Sequence, residues 1–264
     1  DHHGGRRDGP QAWLRPHHDA LLATAIAVAS PVIGLNLAVI TTDPPVLAFM
    51  LLSLALAVPR AAAAPRAATT GAGTARAVSS GVALGVACDL KSTAWLAIPV
   101  LAVMFASRDG ARAAWRFLAG LVITAVVLIA ALAPAVLYRP SAAVALVQNS
   151  VLFPLGLTHY KTPAESLLPG HLLTDLGTSG HVLSVGLLLA AGLGVAISLV
   201  IRPPQDIPAA ARRLAIGLAL MFLLGPNVRF GYFIYPLGLF GWLALNRVTA
   251  VGPQGSVERL AGDG

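Results

Sequence analysis

Asp89 and Lys91 sit two residues apart inside an apolar run, residues 79–110, that is long enough to cross a bilayer. Ionisable side chains are costly to desolvate in such a setting, so each marks a candidate site. A second cation, Arg229, interrupts the apolar stretch 214–245 within "GPNVRFGY". Both cations fall at the mouths of short helices and are functional candidates by default. The competing structural roles are a local Lys91–Asp89 ion pair or a helix C-terminus for Lys91, and snorkelling to lipid headgroups for Arg229. Asp43, in "TTDPP", could bind substrate hydroxyls or cap the following helix, with the cap slightly favoured. His159, Lys161, Glu165 and His171 share one polar segment, where imidazoles and carboxylates could line a substrate or do acid–base work; a plain solvated loop is the competing role.

A metal is not required by any of these spacings. His159, Glu165 and His171 follow no recognised ligand pattern, and the pairs His2–His3 and His17–His18 read as a polar tail, so a divalent cation is compatible but no cofactor is called for. Cys88, the single cysteine, lies in an apolar segment and is expected to be a small buried hydrophobe.

The elements that carry these residues belong to a membrane. Of the 264 residues 56% are hydrophobic and 11% charged, against about 25% charged for a soluble domain. The formal net charge of +7 does not point to nucleic acid, because arginines fall in short clusters between apolar runs and aromatics for base stacking are few. Full spans are expected at Ala20–Ile40, Phe117–Tyr138 and Val182–Ile201, with a shorter return at Pro45–Val58. Placing the Arg-bearing loops in the cytoplasm puts 14 of the 18 Lys and Arg residues inside and leaves Lys91, Arg139, Lys161 and Arg229 outside. The stretches 78–106 and 214–245 must then each enter and leave on one side, as pairs of short helices turning at "CDLKS" and "PNVRFGY". A single tilted span through 78–106 is the competing arrangement.

This gives an all-α polytopic membrane protein of about eight full or short transmembrane helices. Residues 1–19 form a basic cytoplasmic tail, 20–246 the transmembrane domain, and 247–264 a disordered cytoplasmic tail. One long extracytoplasmic loop spans 139–181; its start, "SAAVALVQNSVLF", could lie on the membrane as a helix, and its Pro- and Gly-rich remainder is an irregular loop. Tyr232, Tyr235, Trp95 and Trp242 are expected as interfacial aromatics, with sugar stacking the lesser alternative.

Four ordered stretches carry a resemblance: "SPVIGLNLAVITTDPPVLAFMLLSLALA", "SGVALGVACDLKSTAWLAIPVLAV", "FPLGLTHYKTPAESLLPGHLL" and "PNVRFGYFIYPLGL". Over residues 20–246 they resemble the later part of actinobacterial glycosyltransferases of family 87, the mannosyl and arabinosyl transferases of GT-C architecture. The resemblance implies sugar transfer, of mannose or arabinofuranose, from a polyprenyl-phosphate donor to a lipid-linked or cell-wall glycan outside the cell membrane. It also implies that the catalytic Asp base stands in a first outer loop preceding these stretches; "ITTDPP" matches a later Asp-Pro stretch instead. Lys91 matches the family's Lys in "GlaxxxK" and Arg229 the Arg before "GYxxYP", and both are assigned to the donor phosphate, while Asp89 stands where a small apolar residue is expected. Alternatives outside this class are a transporter or lipid flippase, for which broken helices and buried charges are also typical, and a non-catalytic membrane scaffold.

Overall fold

The computed structural model describes residues 42–59, 69–158 and 166–250, and among these every regular element is helical. Expectations for the first span, Ala20–Ile40, and for the tail 1–19 fall outside the described residues.

Helix α1 (Asp43–Leu56) begins on Pro44 and Pro45, which occupy first-turn positions where no amide donor is needed. Helix α2 (Thr69–Leu90) ends where Lys91 turns to an extended backbone, φ −163° and ψ 135°. A 3₁₀ turn (Ser92–Leu96) then leads into α3 (Ala97–Asp109), and Gly110, at φ 88°, turns the chain into α4 (Ala111–Leu132). After Pro134 come α5 (Ala135–Tyr138), α6 (Pro140–Val147) and a π-helical turn (Gln148–Leu152). After residue 166 come α7 (Pro169–Thr174), α8 (Thr178–Ile201), α9 (Ile207–Leu224), a second 3₁₀ turn (Phe230–Phe233) and α10 (Ile234–Ala250). The Asp206 carboxylate accepts from the Ala209 amide at 2.6 Å, capping α9.

Polar contacts fix the direction of each helix. At one end, Arg108 donates to the Ala57 carbonyl (3.2 Å), Arg76 lies 3.8 Å from Asp109, Arg116 donates to Thr74 (2.6 Å) and Ser107 to the Pro204 carbonyl (2.7 Å). At the other, Lys91 and Tyr235 both reach Asp43, Ser184 donates to the Leu224 carbonyl (2.7 Å), and Asn227 to the Phe153 carbonyl (2.7 Å). Helices α1, α3, α8 and α10 therefore run toward the arginine end, and α2, α4 and α9 run away from it. The chain reverses at both charged breaks, "CDLKS" and "PNVRFGY", as the arginine distribution leads one to expect. The arms are less short than expected: α2 has 22 residues, α9 18 and α10 17, and of the four only α3, with 13, is clearly short.

Glycines bring α2 and α4 together. A Cβ on Gly81 would lie 2.0 Å from the Phe117 carbonyl oxygen, and one on Gly120 would lie 2.6 Å from that of Val78. Backbones in such contact gain van der Waals packing that does not depend on water. The core runs the length of the bundle through Met50, Leu54, Leu84, Leu101, Met104, Leu214 and Leu218, all fully buried. Ser53 bonds Ser80 within it, satisfying both hydroxyls between α1 and α2.

Three helices, α4, α8 and α9, are long and apolar enough to cross a bilayer, with mean hydropathies of 2.2, 2.4 and 1.7. Only 17% of the apolar window of α4 and 11% of that of α8 is buried inside the molecule, so their outer faces are the surfaces a lipid phase would cover. Two boundaries differ from expectation. The described part of segment 139–181 holds more helix than expected: the helix over its start is present as α6 and the π turn, and α7 and the first turn of α8 also lie inside it. Helix α10 continues to Ala250, past the expected start of the tail at 247, because no helix breaker precedes Gly252.

Candidate functional site

The two charged breaks, distant in sequence, meet at the end of the bundle opposite the arginines. Asp43, in the first turn of α1, is 3% exposed. Its Oδ1 accepts from Lys91 Nζ at 2.5 Å and from the Tyr235 hydroxyl at 2.7 Å. Tyr235 is fully buried. The Lys91 ammonium also lies over the Tyr232 ring, 4.2 Å from its centroid, and Tyr232 stacks on Phe222 at 5.5 Å. The carboxylate and the electron-rich ring face together offset the desolvation of the ammonium.

Lys91 is the member of this group that faces open space. A cavity of about 520 Å³ adjoins it, lined by the α2–α3 turn, the π turn with residues 153–155, Leu188 of α8 and the α9–α10 connection. Its walls are mostly apolar, with Trp95, Val151, Leu155, Leu188, Met221 and Phe222 among them, and Ser92, Thr93, Asn149 and Asn227 add neutral polar groups. Among the described residues Lys91 is the only charged side chain in this lining. With a quarter of its side chain exposed, it can still meet a ligand while held by Asp43. The arrangement suits an amphiphile: an apolar body against the walls and an anionic head at Lys91.

The walls are braced by short-range polar contacts. Trp95 Nε1 donates to the Cys88 carbonyl at 3.1 Å, satisfying one of the free acceptors at the end of α2. Asn227 holds the segment after the π turn by its bond to Phe153. Gly156, at φ 68°, packs so closely that a Cβ would lie 2.6 Å from the His181 ring. His171 Nδ1 meets the Pro226 carbonyl at 2.9 Å, fastening α7 to the α9–α10 connection.

Several expected roles change. Lys91 pairs with Asp43, not Asp89, because Asp89 is on the exposed face of the last turn of α2 while Asp43 is buried behind the ammonium. Asp43 is not a capping residue: it is the first residue of α1, and its carboxylate serves Lys91 and Tyr235. Tyr235 is not interfacial, since its ring is sealed among Phe222 and the core and its hydroxyl has an internal acceptor. Tyr232 is half-buried beneath Lys91. Arg229 is exposed at the same end and does not line the cavity. His171 is a structural tether outside the lining, and His159, Lys161 and Glu165 lie outside the described residues. Cys88 is buried and unpaired, as expected of a small hydrophobe. Among the described residues no group of His, Cys, Asp and Glu is placed to hold a metal ion.

No family model, no curated protein and no solved structure matches the chain.

Proposed function

We propose that the cavity beside Lys91 receives the headgroup of a lipid-linked anionic substrate, and that the chain is part of a membrane glycosyltransferase using a polyprenyl-phosphate sugar. The observation that carries this reading is the quarter-exposed Lys91 ammonium set in a mostly apolar cavity of about 520 Å³ with no other charged side chain among the described residues. A sugar phosphodiester on an isoprenoid tail has the matching parts: one negative charge, a polar head for Ser92, Thr93 and Asn149, and an apolar chain for the walls.

In this reading the bundle is embedded in the cell membrane by about eight helices, counting one before Asp43, with the Lys91 end outside. The arginine-rich end then remains in the cytoplasm, in keeping with the charge rule for loop orientation. The acceptor is a lipid-linked or cell-wall glycan. Lys91 would offset the charge that grows on the departing lipid phosphate, and Arg229, exposed at the same end, is the candidate second contact. The family resemblance assigns the base that takes the acceptor proton to an outer loop other than those that hold Lys91 and Arg229. Such a division leaves Lys91 to act on the leaving group alone.

The test is transfer of labelled mannose or arabinofuranose from its polyprenyl phosphate by membranes containing the full-length protein. Lys91→Ala is expected to lower transfer by about 10²-fold at unchanged abundance, the range for removing one stabilising charge. Normal transfer in that variant would refute the site. Movement of the lipid between leaflets without sugar transfer would assign a flippase instead.

A further inference from the structure

We infer that Asp43 determines the charge selectivity of the cavity, favouring a singly charged phosphate diester over a doubly charged phosphate monoester on the same tail. The inference rests on the reading of the cavity as an anionic-lipid site and adds a role for a residue that does not itself touch the ligand.

The argument is one of charge balance in a confined space. Among the described residues Lys91 is the sole charged one in the lining, and its ammonium shares a 2.5 Å contact with Asp43. Asp43 is 3% exposed and receives the Tyr235 hydroxyl as well, so it is fixed in place and cannot swing away to solvent. Asp89 and Arg229 are exposed and lie outside the lining. The pocket therefore presents a cation whose charge is already matched. A phosphate oxygen at hydrogen-bond distance from Lys91 would sit roughly 5 Å from the Asp43 carboxylate. There, one negative charge gains from the nearer ammonium more than it loses to the carboxylate behind. A second charge on the same phosphate gains no more than the first from this half-cancelled cation and meets no second cation among the described residues, while the cost of desolvating the phosphate grows with the square of its charge.

The distinction has a consequence for a transfer reaction. A lipid-phosphate sugar donor is a diester with one charge, and the lipid phosphate left after transfer is a monoester approaching two. When the bond from the sugar carbon to the phosphate oxygen breaks, that oxygen keeps the electron pair, while the acceptor oxygen joins the carbon and gives its proton to a base. Asp43 then weakens the hold on the product relative to the donor, so that emptying the site does not depend on a movement of the helices.

The experiment compares hexadecyl methyl phosphate with hexadecyl phosphate at pH 8, where the monoester carries nearly two charges. Binding to the purified full chain in neutral detergent is followed by tryptophan fluorescence, for which Trp95 in the cavity wall is the reporter. The wild type is expected to bind the diester about tenfold more tightly than the monoester, and Asp43→Asn to bring the two within about twofold by strengthening the monoester. Should Asp43→Asn fail to fold, Asn149→Asp gives the converse test: it adds a negative charge at an exposed lining position and is expected to widen the preference several-fold. A wild-type preference absent or reversed, or a ratio unmoved by either folded variant, overturns the role of Asp43. Lys91→Met tests the underlying reading separately, because undiminished binding of both lipids would mean that they do not occupy this cavity.

Discussion

If Asp43, Lys91 and Tyr235 act as one unit, removing both charges, those of Asp43 and Lys91, should cost less than the sum of removing each. Asp43 is 3% exposed and takes bonds at 2.5 and 2.7 Å on a single oxygen. Lys91→Met leaves that carboxylate buried with one neutral donor, and breaking a buried pair in this way costs about 3–5 kcal/mol. Lys91 retains 24% side-chain exposure, and the screening this allows places both single variants, Lys91→Met and Asp43→Asn, near about 3 kcal/mol. The double variant has no uncompensated charge, and its asparagine still accepts from Tyr235, so about 1–2 kcal/mol is expected rather than about 6. The coupling is then roughly 4 kcal/mol in favour of the pair. The assay is reversible unfolding in mixed micelles by sodium dodecyl sulfate titration, followed by far-ultraviolet circular dichroism. Additive losses within about 0.5 kcal/mol would refute the ion pair, since residues that do not interact combine that way.

The remaining predictions concern packing, direction and the cavity wall. Gly81→Ala forces a Cβ to within 2.0 Å of the Phe117 carbonyl oxygen, so α2 and α4 must separate at a cost of about 2–3 kcal/mol, whereas Gly192→Ala on the open face of α8 should be neutral or slightly stabilising; equal melting temperatures would contradict the contact. In a Cys88→Ala background, Arg229→Cys and Arg112→Cys should label from opposite sides of sealed vesicles, and labelling from one side would overturn the helix directions. Arg229→Ala should reduce lipid binding less than Lys91→Ala, and a larger effect of Arg229 would move the anion site out of the cavity. Asn227→Ala frees the Phe153 carbonyl from its clamp, which limited proteolysis should register as faster cutting near residues 153–158.

What the sequence could and could not reveal follows from the range of the forces involved. The two reversals were legible because loop arginines record which side each loop occupies, and the cost of moving them across a bilayer is large enough to decide. The same topology places "TTDPP" and "CDLKS" at one end, so the meeting of Asp43 and Lys91 was implicit in it. Their pairing was missed because Asp89 lies nearer in sequence, and proximity along a chain says nothing of which face of the last helical turn a side chain occupies. Tyr235 was hidden for a similar reason: a tyrosine near a helix end is as common in an aromatic belt as beneath an ion pair. Spaced three residues apart, Tyr232 and Tyr235 share a helical face, and that spacing was the available signal. The cavity itself had no local signature, because its walls come from segments far apart in the sequence.

The two ends of the bundle are built for different tasks. At the arginine end, Arg108 reaches across to the last carbonyl of α1, Ser107 holds the connection into α9, and Arg76 meets Asp109, so α1, α2, α3 and α9 are bound to one another. At the opposite end the ties run around the cavity: Asp43 joins α1, the α2–α3 turn and α10, while Asn227 joins the π-turn region to the α9–α10 connection. Breaking the first kind of tie lets helices part and lowers stability of the whole. Breaking the Asn227 tie is expected to alter the cavity wall while leaving the core of Met50, Leu84, Leu101 and Leu218 in place, whereas a break at Asp43 or Lys91 also costs stability, because it strands a charge. Ligand selectivity can therefore be altered at Asp43, Lys91 and Asn227 without rebuilding the bundle, provided that a buried charge is never left alone.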